Sequence, residues 1–392
     1  MRAAYVCLDR GVPVFGSKGN AIHVQEVVRA LGRAGVTVEL FTARAGGPAP
    51  PDLGGVPVRQ VPLAPHSDLA ERERGSLAAD LRLAESLGRA GPFDFVYERY
   101  SLWSAAAMEY ASRSGIPGLL EINAPLIDEQ LAYRQLVDRA AAERVAVRTF
   151  NSATAIVAVS HGIAEFVECY RAERSGVHVI PNGVDPERFP PTLRPSRPAP
   201  DVFTIGFVGS LKRWHGLCSL IDALEILARR DDRLRLLIVG DGPERQALED
   251  ALSSRGLTSL AEFTGAVDPE RVPELLFSMD AAVVPYPAGP VSYFSPLTIY
   301  EYMAAGLPVV ASAIGQAIEI IAHDVNGLLC QPGHAASLAD GLERLRGDPR
   351  LRARLGAAAR AHVLANYTWA GVVRRILHIV AACSPRVQEM AG

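Results

Sequence analysis

Lysine is nearly missing from this chain. Of its 40 basic residues only Lys18 and Lys212 are lysines; the other 38 are arginines. Where arginine is so strongly preferred, a retained lysine marks a position with a task. Each stands in a glycine-containing loop just after the first strand expected in its half of the chain. Cysteine is sparse too, with five residues at 7, 169, 218, 330 and 383 and no Cys-x-x-Cys pair. That argues against a disulfide framework or a zinc site and for a reduced, cytoplasmic compartment. No apolar run reaches the ~18–20 residues of a membrane span. The opening MRAAYVCLDR reads as a buried strand and not as a signal peptide. An excess of positive charge is also lacking: the net charge of −3 excludes a general nucleic-acid surface. Absent as well are a Gly-x-Gly-x-x-Gly loop, a Gly-x-Ser-x-Gly elbow and an Asp-x-Asp between strand signals. These absences weigh against a nicotinamide enzyme, a serine hydrolase and a metal-dependent sugar transferase.

What the chain does have is length and apolar content. Its 392 residues suit roughly two domains of ~100–200 residues. The first half alternates strand and helix. Strands are expected at Ala3–Leu8, Val36–Thr42, Phe95–Tyr97, Gly118–Ile122 and Ala155–Val159. Gly11–Asn20 reads as a loop leading into a helix at Ala21–Arg33. This rhythm predicts a parallel sheet covered by helices. The turn cluster Pro181–Asp185 closes a first domain at 1–185, and the proline-rich stretch after it predicts a linker at 186–202. The pattern then restarts over 203–365, with strands at Thr204–Val208, Leu234–Val239, Ala281–Val284 and Val309–Val310. A final helical segment within 366–392 is expected to pack back on the first half. The fold class is α/β: two doubly wound, Rossmann-like domains facing across a cleft. Ligands of such sheets bind outside the carboxyl ends of the strands.

The stretch SYFSPLTIYEYMAAGLPVVAS, residues 292–312, carries the most chemistry. Ser295 fits an N-cap and Pro296 the first helical position. Leu297 through Ala305 follow as a short helix, which Gly306 and Pro308 end. Such a helix start gathers unpaired N–H groups and partial positive charge, which suits a phosphate. Glu301, about a turn and a half in, stands where a carboxylate accepts from the two hydroxyls of a ribose. An anion site and a diol acceptor one helix apart suggest a nucleoside diphosphate. In the loop Gly209–Gly216, Lys212 and Arg213 are candidates to stabilise a departing diphosphate where no metal does so. Glycines 16 and 19 in the first loop permit close backbone approach. Taken alone, each signal has a bland alternative: a solvent-facing Glu, a solvated basic turn, an ordinary glycine turn.

Together the motifs resemble the retaining nucleotide-sugar glycosyltransferases of family 4, which have the GT-B fold. The resemblance covers nearly the whole chain. It rests on GSKGNAIHVQEVVRALGRAGVTVELFT, VIPNGVD, GFVGSLKRWHG, VGDGPER and SPLTIYEYMAAGLPVVAS, in that order. It implies a donor site in the second half for a nucleoside diphosphate sugar, expected to be a UDP-sugar, and an acceptor site in the first. Glu301 matches the family's ribose-binding glutamate. Ser295, Pro296, Leu297 and Thr298 match its phosphate-binding helix start. Gly19 and Asn20 match a segment approaching phosphate or sugar. Gly209, Ser210 and Asp241 match donor-binding loops, and Phe263–Val267 a segment near the base. No cofactor or metal is implied. Four positions, in three places, depart from the usual pattern: Tyr293 stands where a glutamate is common, Ser210 and His215 in the second loop where Arg and Lys are common, and Asn123 where a histidine is common. Acceptor contacts are expected from Glu98, Arg99, Asn123 and His161, with Glu121–Glu129 bordering the same site. The acceptor classes left open are a glycan, a lipid-linked sugar and a small metabolite such as an aminoglycoside. Peripheral membrane contact and oligomeric state stay open. The competing readings are a sugar-nucleotide epimerase of the same architecture and a sugar-nucleotide-binding protein without transferase activity.

Overall fold

Short apolar runs bounded by glycine, proline and polar turns become strands. The computed structural model describes residues 1–63, 68–173, 175–192, 201–231, 233–289 and 295–384. In the first half the strands are Arg2–Cys7 (β1), Thr37–Thr42 (β2), Val58–Gln60 (β3), Phe95–Arg99 (β4), Gly118–Ile122 (β5), Ala155–Ala158 (β6) and Val177–Val179 (β7). In the second they are Phe203–Val208 (β8), Leu234–Val239 (β9), Ala261–Gly265 (β10), Ala281–Val284 (β11), Val309–Ser312 (β12) and Leu328–Cys330 (β13). They form two all-parallel sheets, ordered β3-β2-β1-β4-β5-β6-β7 and β10-β9-β8-β11-β12-β13. Parallel strands joined by helical crossovers are buried on both faces, which is why they read as nearly continuous apolar runs. The fold class is therefore two Rossmann-like α/β units. Among the described residues no helix is long and apolar enough to cross a membrane.

Contacts place Met1–Pro181 and the segment from Trp369 onward in one compact unit, together with Ser295. The described residues of 182–289 and Pro296–Thr368 form the second. The division falls inside the expected turn cluster Pro181–Asp185, ahead of the expected domain end at 185. Val184 N–H donates to Tyr367 O, and Phe189 is fully buried beside Ile299 and Tyr300, so this segment packs with the second unit. The expected linker thus starts as ordered structure, a 3-10 turn at Pro186–Arg188. Its residues 193–200 lie outside the described ones.

In each sheet the chain reverses its direction of growth at one point: between β1 and β4 in the first, and between β8 and β11 in the second. The loops leaving such a switch point diverge and leave a crevice at the carboxyl edge. The loops after β1 and β8 are the two that carry Lys18 and Lys212.

Side-chain alternation decides what each strand of the first unit offers. Val96 and Glu98 of β4 share a face with Val6, Leu120 and Ile122, packed against Leu83, Leu87 and Met108. Tyr97 and Arg99 point the other way, as do Tyr5 and Glu121. That second face is covered by the helices Gly19–Arg33 and Trp369–Cys383, which pack on each other, with the His23 and Trp369 rings edge to face at 5.1 Å.

Candidate active site

In the second unit, three backbone segments meet at the switch-point edge with no room for side chains between them. A Cβ on Gly240 would lie 2.0 Å from Gly209 O, and one on Gly216 would lie 2.0 Å from Pro285 O. Both glycines also have positive φ, 140° and 67°. The loops after β8, β9 and β11 are therefore locked together. On the first of them Lys212 is half-buried over the Trp214 ring, its Nζ 5.4 Å from the centroid, and Arg213 is exposed. Neither cation has a carboxylate partner among the described residues. Ser210 is exposed, and its carbonyl accepts from Lys212 N–H and from His215 Nδ1. Because a carbonyl only accepts, Nδ1 carries the hydrogen and Nε2 is left as an acceptor. His215 is stacked on Tyr286. Burial, and then the nearby Lys212, push its imidazole below the usual value, against the Ser210 bond, so it is uncharged at pH 7.

The helix Leu297–Ala304 follows β11 in the chain. It is anchored by its tyrosines. Tyr302 OH accepts from Val208 N–H at 2.7 Å, fixing the helix to the end of β8, and Tyr300 OH donates to Gln316 Oε1 at 2.9 Å. Gly306, with φ 73°, ends it as expected. Its start is one residue later than expected: Pro296 is the extended N-cap and Leu297 the first helical residue. Proline offers no side-chain cap, so Ser295 is not the cap; it is buried just outside. The amides of Leu297 and Thr298 lie in the first turn, where no carbonyl of the helix reaches them. Tyr293 lies outside the described residues.

Glu301 is mostly buried on this helix, and Arg188 Nη1 donates to its Oε1 at 3.0 Å. Burial pushes the Glu301 carboxyl up from the usual range, and the Arg188 charge and bond oppose that. Asp241, exposed, accepts from Gly242 N–H at 2.8 Å. The Arg245 guanidinium lies 5.6 Å from the Phe263 ring centroid. The edge of the second sheet thus gathers two unpaired cations, a helix start and one carboxylate. That set can hold a diphosphate and a vicinal diol.

In the first unit the helix begins at Gly19, two residues before the expected Ala21. Gly19 and Asn20 are thus first-turn residues, not loop. Asn20 closes the turn, its Nδ2 donating to Gly11 O at 3.1 Å and its Oδ1 accepting from Ala21 N–H at 2.9 Å. His161 is exposed at the first position of its helix, and Ser160 is the cap, accepting from Ile163 N–H.

The four expected acceptor residues do not share one site. Glu98 is fully buried on the far face, where Ser104 Oγ donates to its Oε1 at 2.6 Å and Oε2 has no partner among the described residues. Period-two alternation puts it opposite its neighbour Arg99, so the expectation that both line one site is corrected. Arg99 is half-buried, and its Nη1 lies 3.3 Å from His23 Nδ1. An Arg N–H only donates, so Nδ1 accepts and Nε2–H faces Glu121 Oε1 at 3.1 Å, close enough for strong attraction although not aligned as a full hydrogen bond. Glu121 is itself buried and borders no surface. Burial alone would raise its carboxyl; His23, Arg99 and Asn123 together outweigh that and hold it below the usual range. Asn123 sits just past β5, its buried Nδ2 near enough to Glu121 to favour the carboxylate although not aligned as a full hydrogen bond. Sequence reasoning missed Arg188 and the His23–Glu121 pair altogether.

Burial drives the Glu98 carboxyl well above its ordinary value, Asp80 adding to this and the Ser104 bond opposing it. A carboxyl raised on folding contributes stability below its unfolded value of about 4.5, and that stability is lost as pH rises toward the folded value. Glu98→Gln removes the titration. The wild type is expected to lose stability relative to this variant as pH is raised above 5, by at most about 1.4 kcal/mol per pH unit. Urea unfolding across pH 5–8 measures it; parallel curves for the two proteins would refute the assignment.

The comparisons with known proteins agree with this geometry. Residues 18–188 match the model described as Glycosyltransferase Family 4, and residues 191–362 match Glycosyl transferases group 1. The D-inositol 3-phosphate glycosyltransferase of Pseudarthrobacter chlorophenolicus is 30% identical over 363 residues, covering 87% of this chain and 85% of the relative. That of Stackebrandtia nassauensis is 29% identical over 389 residues, covering 90% and 84%. Among solved structures, Anabaena Alr3699/HepE in complex with UDP and glucose superposes with a TM-score of 0.72 at 19% identity, covering 97% of this chain and 100% of that one. Sucrose-phosphate synthase from Thermosynechococcus elongatus gives a TM-score of 0.72 at 20% identity, covering 97% and 98%. These structural likenesses show the GT-B type of fold. With both halves matched in order and relatives aligned along most of their length, the chain belongs to glycosyltransferase family 4.

Proposed function

We propose that this glycosyltransferase moves a sugar from a nucleoside diphosphate sugar, first of all a UDP-sugar, to a hydroxyl acceptor. Transfer retains anomeric configuration and needs no divalent metal. The observation that carries the reading is the edge of the second sheet, where Glu301 and the unpaired Lys212 and Arg213 stand on elements joined through Tyr302 and Val208. Glu301 accepts from the ribose hydroxyls. The first-turn amides of Leu297 and Thr298, with Lys212 and Arg213, hold the diphosphate and stabilise the charge it gains as it leaves. The bond from the anomeric carbon to the phosphate oxygen breaks as the bond to the acceptor oxygen forms on the same face. The acceptor's proton passes to the departing phosphate oxygen. Relatives named D-inositol 3-phosphate glycosyltransferases support a small polyhydroxylated acceptor.

The test is incubation with UDP-sugars in EDTA and a panel of acceptors including inositol phosphates, with NMR of the product anomer. Retained configuration supports the reading; inversion, or a requirement for added metal, contradicts it. Replacing Lys212 and Arg213 together by alanine is expected to lower kcat/KM about hundredfold and flatten its salt dependence. An unchanged kcat/KM would remove both residues from the site. The uncharged His215 and the Ser210 hydroxyl, at positions where the family commonly has cations, favour one second reading: a sugar-nucleotide-binding protein. It predicts tight nucleotide binding and no product with any acceptor.

A further inference from the structure

Arg188 comes from a turn 113 residues before Glu301, yet it reaches that carboxylate. Its segment is pinned on both sides. Val184 N–H donates to Tyr367 O at 2.9 Å, and Phe189 is fully buried with Ile299, Tyr300 and Met303. Asp185 tightens the turn by accepting from Glu187 N–H at 3.0 Å. Between these anchors the guanidinium is held at two points. Nη1 donates to Glu301 Oε1 and Nη2 to Pro269 O, both at 3.0 Å. A planar fork held at two points by acceptors from different segments has one orientation.

This arrangement bears on what Glu301 can accept. An ionised carboxylate has about four acceptor positions and a protonated one has fewer, since one oxygen then carries hydrogen. Arg188 uses one position on Oε1, and Oε2 makes no bond among the described residues. The side chains are 22% and 16% exposed for Arg188 and Glu301, so water screens the pair little and one cation beside the carboxylate has a large say in its charge.

We propose that Arg188 is a positioning residue: its guanidinium keeps the Glu301 carboxylate ionised and turned so that Oε2 accepts from the vicinal diol of the donor's ribose. The proposal rests on the reading of Glu301 as the ribose-binding group. Arg188 itself touches neither sugar nor phosphate in this role. Its removal therefore acts on the diol contact and leaves the diphosphate contacts alone.

The experiment compares the affinity of the full-length protein for UDP, GDP or ADP, whichever it binds, with its affinity for the matching 2′,3′-dideoxy nucleotide. Wild type, R188Q, R188K and E301Q are each titrated from pH 5 to 8. R188Q is expected to bind the ribonucleotide about tenfold or more weakly and the dideoxy nucleotide as wild type does. Its ribonucleotide affinity is expected to fall on acidification at a higher pH than in wild type. R188K, which keeps the charge and loses the fork, is expected to recover the wild-type pH profile with a smaller loss. If R188Q weakens both nucleotides equally, or neither, while E301Q abolishes the ribose preference, the positioning role is overturned and the Glu301 reading stands. If E301Q keeps the ribose preference, the Glu301 reading fails and takes the proposal with it. Binding of none of the nucleotides by wild type overturns both. Dideoxy binding doubles as the folding control, and if R188Q does not fold, a ribose-selective loss in R188K decides the question.

Discussion

Glu301→Ala is expected to weaken nucleoside diphosphate binding by about hundredfold or more and to lower turnover with a real acceptor at least as far. The size follows from the bonds lost. Two ribose hydroxyls donating to one carboxylate are charge-assisted hydrogen bonds, each worth roughly 1.5–3 kcal/mol. The variant also leaves Arg188 without its carboxylate, keeping only the Pro269 carbonyl. Glu301→Asp, one methylene shorter, is expected to fall between wild type and alanine. Calorimetry gives the binding term and product formation the catalytic one. A dissociation constant within threefold of wild type would take Glu301 out of the donor site.

The second large effect is on stability. Glu121→Ala is expected to destabilise the first unit by about 3–5 kcal/mol, the usual cost of removing one member of a buried charge network. Glu121 is the carboxylate that His23 faces and that the Arg99 charge, itself against His23, helps to keep ionised, and it lies buried between the sheet and the covering helices. Without it His23 Nε2–H loses its facing carboxylate and the nearby Arg99 charge loses a compensating negative charge, and a cavity is left beside Tyr5 and Tyr97. Calorimetric unfolding should show a transition lowered by roughly 6–20 °C. The pH dependence has a definite sign. A carboxyl held below its usual value contributes stability above about pH 4.5, and that stability is lost as pH falls through its folded value. The wild type and Glu121→Ala should therefore converge in acid. A shift of less than 2 °C at pH 7 would show that the pair contributes nothing.

Much of the architecture is legible in the sequence because the strands are buried on both faces. Apolar runs such as Leu234–Val239 then stand out from their polar and glycine-rich surroundings. The strands that escape notice are β7 and β13, each only three residues long, and β10, whose Ala261-Glu262-Phe263-Thr264-Gly265 is half-exposed. The Leu297 helix is legible because Gly306 and Pro308 punctuate it. Its start is misread by one residue because proline suits both the cap and the first turn. The site divides differently. Glu301, Lys212 and Arg213 carry local signals: a helix, a loop, a rare residue type. Arg188 carries none, since its partner lies in another element and an arginine in a proline-rich turn looks solvated. Glu98 was legible and misread, because the alternation of β4 alone places it opposite Arg99. Glu121 looks like a surface carboxylate until its neighbours Leu119, Leu120 and Ile122 are read as one doubly covered strand.

The donor site on the second unit is tested most directly by titrating UDP, GDP, ADP and dTDP into the full-length protein in EDTA. Micromolar binding of one of them, lost in Glu301→Ala and weakened in the Lys212, Arg213 double variant, is the predicted result. Failure of all four to bind, or binding that appears only when metal is restored, would contradict the account.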